Sequence, residues 1–425
     1  MGEVVVGVRR LAAEAGNPHI IAMGSDGPTE RIGAAGDAAC LAVRRLVLTD
    51  FRCYRQARVT VDARPVVLTG ANGAGKTNLL EAISFLAPGR GLRRARLGEV
   101  DRRMLPVGGE PTPAAESALP ATPWAVAAEV ATARSIVQIG TGREPTASGG
   151  ERRVVRIDGA AARSQTALAE HVNLVWLTPQ MDRLFVEGAS PRRRFLDRLV
   201  YGFDPEHASR VSAYEQALRE RGKLLREGPY DAAWLDALEE SMARHGVAIA
   251  AARRDVAARL DAACAGGVAG FPSASLAVTG TVEAALADRP ALVIEDEARA
   301  RLAASRRQDA ESGGVASGPH RSDLAVRHAG TGVAAAQCST GEQKALLIAV
   351  LLANSRLQAA LRGVAPIMLL DEIVAHLDRE RRRALFAELL ALGAQAWLTG
   401  TDEDSFVELR GAAQFLRVAN ATIAA

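Results

Sequence analysis

The segment Gly70-Ala71-Asn72-Gly73-Ala74-Gly75-Lys76-Thr77 matches G-x-x-x-x-G-K-T with no departure, and it limits the fold more than any other feature of the chain. The short apolar run Val66-Val67-Leu68-Thr69 precedes it, and Asn78-Leu79-Leu80-Glu81-Ala82-Ile83 continues as a helix. A buried strand, a glycine loop and a helix in that order predict a phosphate-binding loop in an α/β fold. The glycines let successive N–H groups wrap phosphates, with Gly70, Asn72, Gly73, Ala74, Gly75 and Asn78 as the contact candidates. Lys76 places a cation on the β and γ oxygens, and the Thr77 hydroxyl can ligate magnesium. A flexible glycine loop with no ligand is the competing reading, and the flanking strand and helix argue against it.

Such a loop needs an acidic partner at the end of a strand. Ile367-Met368-Leu369-Leu370-Asp371-Glu372 supplies one, with Asp371 for the magnesium shell and Glu372 to orient and polarise the attacking water. A third segment, Cys338-Ser339-Thr340-Gly341-Glu342-Gln343-Lys344, opens a long apolar helix about 28 residues before Asp371. Helix starts expose N–H groups that favour an anion, and a serine with a glutamate three residues later also forms a capping box. Gln180, after Leu174-Val175-Trp176-Leu177, stands where the glutamine loop would be in the ABC-type ATPases that this order of motifs resembles, a likeness that implies a side chain reaching magnesium and water. Asp378 closes Ala375-His376-Leu377-Asp378 just beyond Glu372.

The rest of the chain frames these motifs. Its 425 residues are 48% apolar and 24% charged, which fits a folded chain of two or three domains. Only three of 52 basic residues are lysine, and two of them, Lys76 and Lys344, sit in the motifs above. Four cysteines, widely spaced, exclude a disulfide scaffold and a cysteine zinc site. No apolar run is long enough for a membrane span and no secretory signal is evident, so a cytoplasmic protein is expected. Residues 1–38 read as a loosely ordered extension. The first part of the α/β domain is expected over 41–205, a mainly helical inserted lobe over 206–312, and the second part over 313–425. Within these spans, Asp50 is expected to end a strand, 58–62 to pair with it, and 140–150 to form a loop. The stretch 166–204 is expected to be mostly helical or connecting, with helix breaks at Gly222 and Gly228-Pro229 and a helix near 293–307.

Taken together, the loop, the acidic strand and the serine segment resemble an ABC-type ATPase head. Further stretches narrow this to the RecF family of bacterial recombination mediators. They are Phe51-Arg52-Cys53-Tyr54, Gly89-Arg90-Gly91-Leu92-Arg93, Gly188-Ala189-Ser190-Pro191-Arg192-Arg193-Arg194-Phe195-Leu196-Asp197 and Gly318-Pro319-His320-Arg321-Ser322-Asp323. The resemblance spans about residues 41 to 412. It implies ATP and Mg2+ as cofactors and an ATP-dependent homodimer. In that dimer Ser339 and Gly341, with Glu342 and Gln343, face the nucleotide of the other copy, and Asp378 lies in the dimer-interface loop. It also implies slow ATP hydrolysis, binding of duplex DNA near single-strand/double-strand junctions, and work with RecO and RecR to load RecA, with no membrane partner. Thr399-Gly400-Thr401 stands where many ABC ATPases carry a switch histidine, and Ser322 where an acidic residue is more usual. The alternatives are another soluble ABC- or SMC-like ATPase, or a nucleotide-gated structural scaffold on DNA.

Three arginine-rich clusters are candidate DNA contacts: Arg90, Arg93, Arg94 and Arg96; Arg192, Arg193 and Arg194; and Arg219, Arg221, Lys223 and Arg226. The competing reading is that they are solvated faces or intersubunit salt bridges, and it weighs most on the cluster of Arg219, Arg221, Lys223 and Arg226. The seven histidines are scattered and form no H-x-x-x-H pair, and His320 reads as a hydrogen-bonding loop residue.

Overall fold

A computed structural model describes residues 40–102, 122–146, 150–228, 231–268, 270–375 and 377–424. The expected extension over 1–38, most of the proline-rich stretch 106–123 and His376 lie outside the described residues. The chain divides into two compact units, one comprising the described residues up to Pro179 with those from Ala359 onward, the other Gln180–Gln358.

The first unit holds two six-stranded sheets. In one, the order is Thr422–Ala424, Gln414–Ala419, Val66–Thr69, Ala396–Gly400, Ile367–Leu370 and Leu174–Leu177, parallel except for the terminal Thr422–Ala424. Val66–Thr69, Ile367–Leu370 and Leu174–Leu177 are buried throughout, as the continuous apolar runs of a parallel sheet covered on both faces require. Leu174–Leu177 is thus a short sheet strand inside a stretch that is otherwise mostly helical or connecting, as expected. Four residues are too few for a period to separate a buried strand from a buried helix segment.

The second sheet is antiparallel, in the order Tyr54–Thr60, Ala42–Phe51, Ala125–Ala131, Ile136–Pro145, Glu151–Ile157 and Ala160–Ala161. Asp50 does not end its strand: it adopts φ 45° and pairing resumes at Phe51↔Tyr54. Pairing with Glu151–Ile157 likewise carries Ile136–Pro145 through residues expected in a loop. Gln395 ties the two sheets through its buried amide. It accepts from the Val43 N–H at 2.8 Å and donates to the carbonyls of Val43 and Asp62 at 2.9 and 2.7 Å.

The second unit is mainly helical, with an antiparallel pair of strands, Ala274–Thr279 and Asp323–His328, among its described residues. It is wider than the insertion expected over 206–312, because Asp323–His328 pairs within it. Helix His207–Glu227 runs through Gly222 without a break. One interior glycine costs only about 1 kcal/mol, less than the burial of Tyr214, Ala217 and Leu225 along the helix returns. The helix expected near 293–307 is two, Ala291–Ala304 and Arg306–Ser312, which meet at Ser305. Helix Thr340–Arg362 is long and apolar enough to cross a membrane, yet 72% of its most apolar window is buried in the protein. Its composition is that of a core helix.

Candidate functional site: a phosphate loop beside two carboxylates

In the parallel sheet, Ala396–Gly400 lies between the strand that enters the glycine loop and the strand that ends at Asp371. Parallel strands deliver their C-terminal ends to one edge, so loop and acids meet there, as ligand crevices in open α/β sheets do. Gly70 and Gly75 have φ of 144° and 118°, conformations closed to side-chain-bearing residues. A Cβ on Gly70 would lie 2.1 Å from the Val418 carbonyl oxygen, and one on Gly75 would lie 2.7 Å from the Tyr54 hydroxyl. That hydroxyl donates to the Gly75 carbonyl at 3.1 Å and braces the loop from below.

Lys76 opens helix Lys76–Ser84, and its buried Nζ donates to the carbonyls of Gly70 and Ala71 at 2.6 and 2.9 Å. Burial pushes its pKa down, opposed by the charges of Glu372 and Asp371. Thr77 Oγ1 donates to Asp371 Oδ1 at 3.0 Å. Thr399 Oγ1 donates to the same oxygen at 2.8 Å and accepts the Glu372 N–H at 2.8 Å. Burial raises the Asp371 pKa, while the two hydroxyls work against the shift. Glu372 itself adopts φ 49°, the left-handed region that a Cβ disfavours. Strain of that kind persists where the surroundings enforce it, and it concentrates at functional sites. The sequence reading assigned no such bonds to Thr399. The available signal was a hydroxyl at the end of the strand next to Asp371.

A buried ammonium held by loop carbonyls, beside a hydroxyl and a carboxylate, suits a phosphate chain with a hard cation. Magnesium prefers such oxygen ligands and keeps waters and phosphate oxygens for its remaining positions. Asn72 and Gly73 are exposed on the loop, and Ala74 is half-buried. Asn78 is occupied by the protein, donating to Cys53 Sγ at 3.1 Å and accepting from Arg93 at 2.7 Å.

Gln180, Ser339, Gly341, Glu342 and Gln343 belong to the second unit. Ser339 is exposed, and its N–H and hydroxyl donate to Glu342 Oε2 at 2.9 and 2.8 Å. The Glu342 N–H returns to Ser339 Oγ at 3.3 Å, so a reciprocal capping box is in place. Gln343 donates to the Cys338 carbonyl at 2.8 Å. Lys344, in the same helix, is buried and pairs at 3.5 Å with Asp182, two residues after Gln180. This pair ties the turn Pro179–Arg183 to the serine-capped helix. In the first unit, Asp378 caps helix Arg379–Ala391 by accepting the Arg381 N–H at 2.8 Å.

A chain with this geometry matches known proteins over most of its length. The family described as the RecF/RecN/SMC N terminal domain matches residues 42–421. The DNA replication and repair protein RecF of Agrobacterium fabrum is 47% identical over 387 residues, covering 91% of this chain and 99% of the relative. The chain belongs to the RecF family. RecF of Rhizobium rhizogenes is similar to the same degree, 46% identical over 90% of this chain and 98% of its own. Among solved structures, one described as the recombination mediator protein RecF-ATP in the RecFOR pathway aligns with a TM-score of 0.72. It has 20% identity and covers 92% of this chain and 99% of that one, a likeness of fold.

The stretches 188–197 and 318–323 join in a polar network inside the second unit, half-buried at Arg192, Arg193 and Arg194 and buried at Asp197. Arg192 makes a fork to Asp323, with both contacts at 2.7 Å, and Arg193 donates to the Ser322 carbonyl at 2.7 Å. Arg194 bonds to Ser190. Asp197 accepts two bonds from Arg253 at 2.7 and 2.8 Å and faces His207 Nε2 at 2.8 Å. Burial works against its charge, but Arg253 and His207 overcome that and hold the carboxyl far below its ordinary range. Ser322, where an acid was expected, donates to the buried carboxylate of Glu283. Arg221, a candidate DNA contact, is fully buried between Glu239 and Asp309, both at 2.8 Å, and is corrected to a structural residue. In the first cluster, Arg93 pairs with Glu81 at 3.0 Å, while Arg90, Arg94 and Arg96 are exposed.

His320 is saturated as the sequence reading expected, with Nδ1 2.7 Å from the Tyr214 hydroxyl and Nε2 3.0 Å from the Val315 carbonyl. Burial lowers its pKa below 6.5, the Val315 carbonyl opposes the shift, and Arg321, Arg193 and Arg253 add to it. Below about pH 6.5 the unfolded chain takes up a proton here that the folded chain refuses, so stability falls as pH falls. Thermal melting from pH 7.5 to 5.5 should therefore show a shallower acid loss in His320→Gln than in the wild type. Parallel curves would show that His320 does not contribute to the acid sensitivity.

Proposed function

We propose that the chain is a recombination-repair ATPase that binds Mg–ATP at the Lys76 loop and uses it to gate binding of duplex DNA. The observation that carries this reading is the convergence of Lys76, Thr77, Asp371 and Glu372 at one sheet edge, in a chain of the RecF family. The loop N–H groups and Lys76 would hold the phosphates, and Thr77 with Asp371 would hold the metal. When bound, Mg–ATP supplies the electrophilic γ-phosphate and the charge that neutralises its oxygens. Glu372 accepts a proton from the attacking water, and Lys76 offsets charge that grows on the phosphate oxygens.

In this reading two copies close over two nucleotides, with Ser339 and Gly341 of one facing the loop of the other and Asp378 near the seam. The γ-phosphate then contributes affinity for the closed state and its loss reopens the dimer. Work at DNA junctions in the cytoplasm with RecO, RecR and RecA follows from the family rather than from any residue above.

A groove of about 490 Å³ in the second unit supports DNA engagement. It is lined by Arg219, Lys223, Arg226, His320 and Arg321, and its carboxylate, Asp309, is engaged by Arg221 and Ser305. The pairs Arg219–Glu215 at 3.8 Å and Lys223–Glu227 at 4.0 Å are exposed and weak, so phosphates can displace them.

Fluorescence anisotropy of a labelled gapped duplex, with and without Mg–ATP, tests the proposal. Tight binding should require ATP and vanish in Lys76→Met, whereas ATP-independent binding that survives Lys76→Met would overturn the gate. Replacing Arg219, Lys223 and Arg226 together by Glu should weaken DNA binding at least about tenfold. It should also flatten the slope of log affinity against log salt by about two to three. An unchanged slope would place the DNA on another face.

A further inference from the structure

We infer that Thr399 is the positioning residue that holds Asp371 and Glu372 in register for the reaction at the Lys76 loop. The inference rests on the ATPase reading above and adds a role for one hydroxyl. Thr399 is fully buried on the strand between those that carry the loop and the acids. Its hydroxyl has one proton, and Asp371 Oδ1, 2.8 Å away, takes it. The Glu372 amide, which can only donate, fills a lone pair at 2.8 Å. The directions are therefore fixed as a relay: Glu372 N–H to Thr399 O–H to the Asp371 carboxylate. Bonds in such a chain polarise one another, and the last acceptor is charged, so each is stronger than a lone neutral bond.

Two further features indicate that this relay serves the site rather than merely satisfying a buried hydroxyl. Glu372 sits at φ 49°, and the bond to Thr399 holds the amide of that residue while its carboxylate acts on Lys76. In addition, the Asp371 oxygen that Thr399 contacts also receives Thr77 at 3.0 Å. Thr77 is the hydroxyl that a magnesium ion would recruit. With Thr77 serving a metal, Thr399 would remain to orient Asp371, as groups behind a metal ligand commonly do. No histidine occurs at 399–401, and Thr399 acts there through hydrogen bonds to the Asp371 carboxylate and the Glu372 backbone N–H.

The test compares Thr399→Val, which keeps the shape and removes the hydroxyl, with Thr399→Ser, which keeps the hydroxyl. Thr399→Ala is held in reserve in case Val does not fold. Three quantities are measured: melting temperature without nucleotide, affinity for a fluorescent ATP analogue with and without Mg2+, and steady-state kcat and KM. The Val protein should bind the analogue without Mg2+ within about twofold of wild type. Its Mg2+-dependent gain in affinity and its kcat should each fall about tenfold or more, with KM for Mg–ATP rising in step with the lost affinity. Ser should restore both to within about threefold. A folded Val or Ala protein with wild-type Mg2+ dependence and kcat overturns the role. So does a loss that Ser fails to restore, because a hydroxyl at 399 would then not be sufficient for the effect. A wild-type chain that binds no nucleotide overturns the ATPase reading and this role together; a wild type that binds and turns over beside an unimpaired Val protein overturns this role alone.

Discussion

Glu372→Gln should bind Mg–ATP and gapped DNA as tightly as wild type, or more tightly, while losing about 10²–10⁴-fold in turnover, the usual worth of a positioned general base. The amide is isosteric, so the backbone at φ 49° and its bond to Thr399 stay in place. Only the proton-accepting oxygen is lost. The protein should then accumulate in the closed, DNA-bound state, and a filter assay for radiolabelled phosphate release read beside anisotropy would show the split. The result decides between the switch and a nucleotide-gated scaffold on DNA. Equal slow turnover in both proteins would remove Glu372 from the chemistry and favour the scaffold, a reading that the missing histidine at 399–401 keeps in play.

Arg221→Met should be the most destabilising single change in the second unit, and for a reason unrelated to DNA. Arg221 is buried between helices, with Glu239, Asp309 and the Leu302 carbonyl on its three sides, all at 2.8 Å. Removing the cation leaves Asp309 with only Ser305, although Arg306 still serves Glu239. Breaking a buried ion pair from one side costs about 3–5 kcal/mol, or roughly 6–20 °C in melting temperature for a unit of this size. Adding Asp309→Asn should recover part of the loss, because it removes the orphaned charge. Methionine at 221 with an unchanged melting temperature and weakened DNA binding would instead restore Arg221 to the DNA-contact set.

Arg221 also marks a limit of sequence reading. Arg219, Arg221, Lys223 and Arg226 look alike as a string, and helical spacing alone does not single out one of them for the interior. Helix His207–Glu227 buries Arg221 and leaves Arg219 and Lys223 exposed, because Glu239 and Asp309 arrive from segments 18 and 88 residues away. The same holds for Arg192 and Asp197, whose partners Asp323 and Arg253 are 131 and 56 residues distant. A residue's charge can be read from its letter. Whether that charge meets water, DNA or a buried acid depends on which distant segments fold against it.

The sequence by itself determined the phosphate loop, the acidic strand and the serine-capped helix. Each is local: glycines that permit φ of 144° and 118°, four apolar residues before two acids, and a capping box closed within four residues. The tertiary structure alone decided that Thr399 stands between the loop and the acids and reaches both Asp371 and Glu372. That placement follows from sheet order, which puts Ala396–Gly400 between strands that are its neighbours in space but, on the loop side, about 330 residues away in sequence. Hydrogen bonding between parallel strands sets such neighbours, and no local pattern encodes which strands will pair.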